Sequence, residues 1–346
     1  MKNIIWFEDS SDNDYAQIGG KNAKLGQMLQ LNIPVPPGFA VTTGAFDRFL
    51  DITEIRAKIK SLIASISYAY IRDLGEVAYQ VQELIRTTPI PDNITSEIRE
   101  AYGKLAGVCG RPNIPVAVRS SATSEDLETA SFAGQHETFL WLCNEDETIR
   151  YISECWASLF TSRAIAYRHR VKWPQDKVSI SVGVQRMVRA KSAGVMFTVH
   201  PVSGDPGQIV IEGNWGLGES VVGGKVDVDI YTVSKKQMKV TDRRMGEKHM
   251  QVVADRCGTV IEEELPAARR NTYVLDEEEA LEIAKRGQFL ESYFGQPQDV
   301  EWAIDSEMSF PGNIFLLQTR PVVGVKIQKI MTEEEALIGQ LLHSLF

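Results

Sequence analysis

The chain has no run approaching the ~18 consecutive apolar residues of a membrane span. Its first residues, MKNIIWFEDSSDND, turn acidic at Glu8 and Asp9 before an apolar segment can build, which argues against a secretory signal. Cysteine is scarce: Cys109, Cys143, Cys155 and Cys257 are far apart and form no C-x-x-C pair, so reduced, buried thiols are expected rather than disulfides or a zinc site. The five histidines, His136, His169, His200, His249 and His343, have no metal-ligand spacing. Positive charge is also in deficit, with 37 Lys and Arg against 46 Asp and Glu and a net charge of −9, which excludes a broad nucleic-acid or anionic-membrane face but leaves room for a local basic pocket. Neither G-x-x-x-x-G-K-[ST] nor G-x-G-x-x-G occurs: after Gly216 and Gly218 the third glycine position is Val221. What remains is an ordinary globular composition, 43% hydrophobic and 24% charged, long enough for two or three lobes and expected to be soluble and cytoplasmic.

The most informative stretch that is present runs from Pro115 to Leu140. Val116, Ala117 and Val118 read as a short buried strand that delivers Arg119 and then breaks into Ser120, Ser121, Ala122, Thr123 and Ser124. A second small-residue run, Ala130-Ser131-Phe132-Ala133-Gly134-Gln135, precedes Thr138-Phe139-Leu140. Arg offers a planar fork of donors for phosphate oxygens, and small residues let backbone N–H groups approach the same oxygens. A polyphosphate would suit such a segment; a surface loop with one exposed arginine is the other reading.

Around it the chain alternates helical and extended patterns. QIGGKNAKLGQMLQL (17–31) reads as a Gly-Gly turn feeding an amphipathic helix with Lys21 in its first turn, either a solvated lysine or a phosphate contact. Pro34, Pro36 and Pro37 forbid helix before a strand over 39–42, and residues 44–105 carry helical patterns split by Pro89 and Pro91. Residues 146–170 read as one long helical stretch, whose Arg163, Arg168 and Arg170 are either functional or, as helix-surface arginines, solvated or paired. Val178, Ile180, Val182 and Val184 alternate as a half-buried strand, further strands begin at Gly194 and Gln208, and 226–256 looks like hairpin material. The acidic runs 277–279 and 333–335 are explained by capping boxes at Asp276 and Thr332 and need no metal. In QDVEWAIDSEMSFPGNIFLLQTRPV (298–322) two alternating runs flank a Pro-Gly turn, a hairpin that sets Glu301, Gln318 and Arg320 on comparable faces. A carboxylate, an amide oxygen and a guanidinium together would suit Mg²⁺ plus phosphate, although mixed charges on a hairpin are common.

Taken in order, GGKNAKLGQM, PVPPGFAVT, AVRSSATSED, ASFAGQHETFL, SLFTSRAIAYR, GVQRMV, AGVMFT, WGLGESVVGG and VEWAID with LLQTRP resemble the ATP-binding domain of the phosphoenolpyruvate synthase, pyruvate phosphate dikinase and rifampicin phosphotransferase family, from about residue 4 to 323. The resemblance implies an α+β ATP-grasp fold, two lobes closing on ATP: an N-terminal lobe over 1–188 with a phosphate-covering loop at 119–138, a C-terminal lobe over 189–325, and a helical tail over 326–346. It implies that Lys21 and Arg119 hold the β- and γ-phosphates, that Gly134 and Thr138 lie on the covering loop, and that Gln185 and Met187 line the adenine slot. Glu301 and Gln318 would hold Mg²⁺, Arg320 would stabilise the transferring phosphates, and Glu219 would lie near the ribose or metal. Lys21, Arg119 and Arg320 are the catalytic candidates.

In this family a histidine on a separate swivelling domain takes the β-phosphoryl of ATP, leaving AMP and inorganic phosphate. None of the five histidines lies in such a domain's glycine- and threonine-rich motif, and His136 is a weak acceptor candidate within the loop. A partner subunit is therefore expected to carry the acceptor, an arrangement similar to phenylphosphate synthase, which phosphorylates phenol. The alternatives are a nucleotide-binding portion of a phosphoenolpyruvate synthase or rifampicin phosphotransferase, and an ATP-sensing or scaffold subunit without chemistry. No nucleic-acid or membrane partner is expected.

Overall fold

The computed structural model describes residues 2–68, 71–122, 137–175, 178–255 and 258–328, and the chain divides into two compact units. The first comprises residues 1–188 with 253–261; the second comprises 189–252 with 262–346. The capping box expected at Thr332, like Gly134 and His136, lies outside the described residues.

In the first unit the elements are β1 (Ile4–Trp6), a short 3-10 turn (Asp12–Asp14), α1 (Tyr15–Gln30), β2 (Gly38–Val41), α2 (Thr43–Ile52), α3 (Ile55–Ala64), α4 (Ile71–Thr87), α5 (Asp92–Val108), β3 (Val116–Ala122), β4 (Thr138–Leu142), α6 (Glu145–Ser158), α7 (Ser162–Arg170) and β5 (Ile180–Arg186). The strands form a five-stranded sheet in the order β1-β2-β5-β3-β4, antiparallel at each pairing. One face carries Phe39, Val41, Val116, Val118, Val182 and Val184 into a core completed by Phe46, Phe49 and Trp156 from α2 and α6. The alternation that buries these residues turns Ala117, Arg119, Ser121, Ser181 and Gly183 to the opposite face. There α1 docks: Asn22 donates from Nδ2 to Ser181 Oγ at 3.2 Å and to Ile18 O at 2.9 Å.

The stretch expected to be one helix over 146–170 is two. The break at Leu159–Thr161 is set by Thr161, whose hydroxyl accepts from the Ala164 N–H at 3.2 Å and so starts α7 afresh.

In the second unit follow β6 (Ala190–Phe197), β7 (Gln208–Trp215), α8 (Glu219–Val222), β8 (Asp229–Ser234), β9 (Lys239–Arg244), β10 (Met250–Ala254), β11 (Val260–Glu264), α9 (Ala267–Arg270), α10 (Glu277–Phe294), β12 (Gln298–Asp305) and β13 (Ile314–Pro321), with the tip of the β10–β11 ribbon counted in the first unit. A six-stranded sheet runs β13-β12-β6-β7-β8-β9. Met196, Ile211, Tyr231, Val300 and Trp302 are buried on one face. Helix α10 lies over that face so closely that a Cβ on Gly287 would stand 2.4 Å from Met196 Cε. Its start carries the expected box: Asp276 accepts from Glu279 N at 2.8 Å, and Glu279 accepts from Asp276 N at 3.1 Å. Among the described residues, no helix is long and apolar enough to cross a membrane.

Candidate functional site

In the first unit the candidates gather on the sheet face that α1 covers. Arg119 is directly opposite Thr138 on β4 and Gly183 on β5, so the strand register alone puts Arg119 and Thr138 side by side. Lys21 comes from α1, two residues past a kink at Gly19, where φ is 73° and ψ 165°. That left-handed conformation suits glycine, and the space demands it: an added Cβ would lie 2.4 Å from Ser121 Oγ and 2.5 Å from Ser121 O. Gly183 serves the same approach from β5, since a Cβ there would meet Asn22 Oδ1 at 2.3 Å. Gly19 and Gly183 thus let a helix start press against two strands. Lys21 and Arg119 are half-buried and Thr138 is exposed.

Gln185 lies near the end of β5 on the same sheet, and Met187 follows the strand. Gln185 is buried, and its amide donates to the Pro36 carbonyl at 3.0 Å. Met187 is buried and pinned by its backbone N–H to Pro115 O at 2.8 Å. Gln185 thus ties the strand end to the Pro-rich link and Met187 ties it to the entry of β3, and what they offer a ligand is main chain and the Met187 thioether.

In the second unit Glu301 and Gln318 are direct partners across β12 and β13, and Asp299 is opposite Arg320 one step along. A bulge after Glu301 leaves this register intact up to the strand end. The sequence reading missed Asp299. It grips Arg320 through two nitrogens, Nε at 2.8 Å and Nη2 at 2.7 Å, and so fixes the plane of a guanidinium that is itself well exposed. Its position two residues before Glu301 in a strand was the available signal, because i and i+2 share a face.

A second missed carboxylate is Glu212. It reaches this face through two ladders, Glu301 opposite Val195 and Val195 opposite Glu212. Desolvation pushes its carboxyl above the usual range, Arg244 opposes the shift and Asp299 adds to it. Glu219 stands apart, exposed at the first position of the four-residue α8.

Among the described residues, no group of three or more His, Cys, Asp or Glu could hold a metal by itself. The Glu301–Gln318 pair fits the other mode available to a hard cation, in which two protein oxygens are completed by water and phosphate oxygens. The donor set is right for Mg²⁺ and wrong for a thiophilic metal.

Two sheet-based units, each with one face buried under helices and one face carrying polar and charged groups, make this an α+β protein. The sequence profile of the family described as pyruvate phosphate dikinase, AMP/ATP-binding domain, matches residues 15–337, and the chain belongs to that family. A protein of Staphylothermus marinus named "Probable phosphoenolpyruvate synthase" is 40% identical over 96% of this chain and 43% of its own length. One of Methanothermobacter thermautotrophicus with the same name is 40% identical over 93% of this chain and 46% of its own. The "Phosphoenolpyruvate synthase" of Pyrococcus furiosus is 36% identical over 96% of this chain and 45% of its own. The chain thus spans less than half the length of these curated relatives. Their names favour the phosphoenolpyruvate synthase side of the expected family over the phenylphosphate synthase arrangement.

Proposed function

We propose that the two units are the lobes of an ATP-grasp module that binds Mg·ATP and directs its β-phosphoryl group to a histidine outside residues 1–346, as part of a phosphoenolpyruvate synthase-type phosphotransfer. The observation that carries the reading is the pairing of Glu301 with Gln318 beside an arginine held in plane by Asp299. That is a hard-cation corner next to a phosphate fork, in a chain whose family is one of AMP/ATP-binding domains.

In this reading Lys21 and Arg119 neutralise the β- and γ-phosphates, and Thr138, with the loop that contains Gly134, covers them. Gln185 and Met187 border the adenine, and Glu219 lies toward the ribose. Glu301 and Gln318 would hold Mg²⁺, which supplies charge neutralisation of the phosphate oxygens. Arg320 meets the charge that develops when a histidine nitrogen attacks the β-phosphorus and the bond to the oxygen bridging the α-phosphorus breaks. AMP leaves, and water then releases the γ-phosphate as inorganic phosphate, leaving phosphohistidine. Positioning and electrostatics carry nearly all of such a transfer. An intracellular setting belongs to this reading, because ATP is the substrate.

The test is to mix the chain with a phosphohistidine domain from a phosphoenolpyruvate synthase and ATP labelled at the β-phosphorus. AMP formation with label retained on the second protein is expected. It should fall by roughly 10²–10³-fold in Arg320→Ala, the scale for loss of one transition-state donor. Nucleotide binding without AMP would favour the sensing reading, and release of label to phenol rather than pyruvate would return the phenylphosphate arrangement.

A further inference from the structure

In the second unit β6 and β13 stop, and β7 and β12 start, at one end of the six-stranded sheet, and the described chain leaves from that end. Backbone bonds gather it. The Thr198 N–H donates to Gln298 O and the Val322 N–H to Pro297 O, both at 2.9 Å. Gln328 is tied to the β6–β7 loop twice, by its N–H to Gly204 O at 2.8 Å and its Nε2 to Ser203 O at 3.0 Å. Gly204 has a φ of 74°, and an added Cβ would overlap the Lys326 carbonyl, so the loop and the departing chain are pressed together. The end of α10 is brought to the same place, because Lys235 pairs with Glu291 while its own N–H donates to Gly207 O at 2.9 Å.

This well-bonded end turns apolar side chains outward. Val202 is 90% exposed, Val323 83%, Ile327 52% and Tyr293, in the last turn of α10, 51%. Single exposed apolar residues are ordinary, but several gathered at one end of one sheet mark a surface that something covers. Val202 and Ile327 directly precede Ser203 and Gln328, the residues that bond each other where the chain departs.

The sequence that follows, KIMTEEEALIGQLLHSLF (329–346), lies outside the described residues. Its apolar residues recur at Leu337, Leu341 and Leu345 and again at Ile338 and Leu342, the spacing of one helix face, while Gly339, Gln340, His343 and Ser344 fall on the other. A helix this short is marginal alone in water, so such a stripe needs a surface to bury against. Only Lys329, Ile330 and Met331 separate Gln328 from Thr332, which keeps Thr332 within about 14 Å of Gln328. The apolar surface within that reach is the one around Val202, Val323 and Ile327. We propose that residues 332–345 dock on this end of the second unit of their own chain, with Leu337, Leu341 and Leu345 against Val202, Val323, Ile327 and Tyr293. The short tether gives this segment a high effective concentration at the surface, which a separate chain lacks. The docking stands independently of the nucleotide reading.

The test is hydrogen–deuterium exchange of the whole chain at two protein concentrations, read by mass spectrometry against a free peptide of residues 329–346. Amides over 337–345 are expected to exchange at least about tenfold more slowly in the chain than in the peptide, equally at both concentrations. Val202→Asp combined with Val323→Asp puts charge at two exposed positions, and should return 337–345 to the peptide rate while α10 and β12 stay protected. Leu341→Asp, from the other side of the contact, should do the same. Peptide-like rates in the parent chain, protection undiminished by the paired substitution, or protection that grows with protein concentration, the sign of a second copy, would each overturn the proposal. Should the paired variant also lose protection in α10 and β12, Ile327→Asp decides alone, and undiminished protection there overturns it.

Discussion

The two units bury their polar groups differently. Among the described residues, the first unit fills its sheet with neutral hydroxyls and amides, namely Ser120, Ser121, Ser181, Asn22 and Gln185, and Arg168 is its one buried charged side chain. The second unit buries Asp229, Lys248, Glu279 and Asp305. Its charges are used as ties between loops. Asp229 at the start of β8 bonds the Lys248 ammonium, accepts from Gly246 N at 2.9 Å through the same oxygen, and accepts from Val274 N at 2.8 Å through the other. Lys191 reaches Glu279 at the start of α10 at 2.7 Å. The difference follows from what each has to hold. A helix start pressed onto two strands leaves room only for small, neutral side chains. Long segments leaving β8 and β9 must be gathered at a distance, which charged groups with several donors and acceptors can do.

The comparison can be broken most severely at the buried pair. Lys248→Met leaves Asp229 buried with its charge uncompensated, and should cost about 3–5 kcal/mol of unfolding free energy measured by urea titration. A loss below about 1 kcal/mol, the value of an exposed pair, would mean the second unit does not depend on buried charge. In the first unit Gly19→Ala should come next, at about 1–3 kcal/mol, because it combines a left-handed φ with a Cβ that overlaps Ser121. An unchanged melt would show that α1 is not pressed against β3.

A smaller effect is expected at Glu212. A carboxyl raised in the folded state favours the native form while protonated, and that contribution is lost as pH rises through the folded value. Glu212→Gln, which keeps the neutral shape, should therefore match the parent near about pH 4 and melt above it at neutral pH, with the gap opening as pH increases past the ordinary carboxylate range. A constant gap across pH would contradict the desolvation of this group. The smallest stability change belongs to Asp299→Asn, within about 1 kcal/mol, because its partner Arg320 is exposed. The same variant should still weaken Mg·ATP binding, since it frees the plane of Arg320, and an unaltered affinity would remove Asp299 from the site.

Much of this was legible from local pattern. The alternation in 298–322 gave the hairpin with Glu301, Gln318 and Arg320 on comparable faces, and the structure adds that Glu301 and Gln318 are direct partners. Arg119 was placed at the end of a strand that in the structure runs on to Ala122, so it lies within β3, beside Thr138 of β4. What escaped was non-local or depended on one cap. Glu212 meets the Asp299 face only because β7 lies two strands from β12, an order no local pattern encodes. The break between α6 and α7 turned on the Thr161 hydroxyl within an otherwise continuous apolar stripe. Arg168 was misread for the same reason: with α7 started anew at Thr161, its position faces Phe160 and Gln175 instead of solvent.

The proposed function requires that charged faces on both units serve one nucleotide. It is tested most directly by calorimetric titration of the chain with Mg²⁺ and a non-hydrolysable ATP analogue, comparing the parent with Arg119→Ala from the first unit and Glu301→Ala from the second. The account predicts one binding event per chain, weakened at least about tenfold by either substitution, as loss of a charged phosphate or metal contact requires. Binding that survives both substitutions unchanged would contradict it.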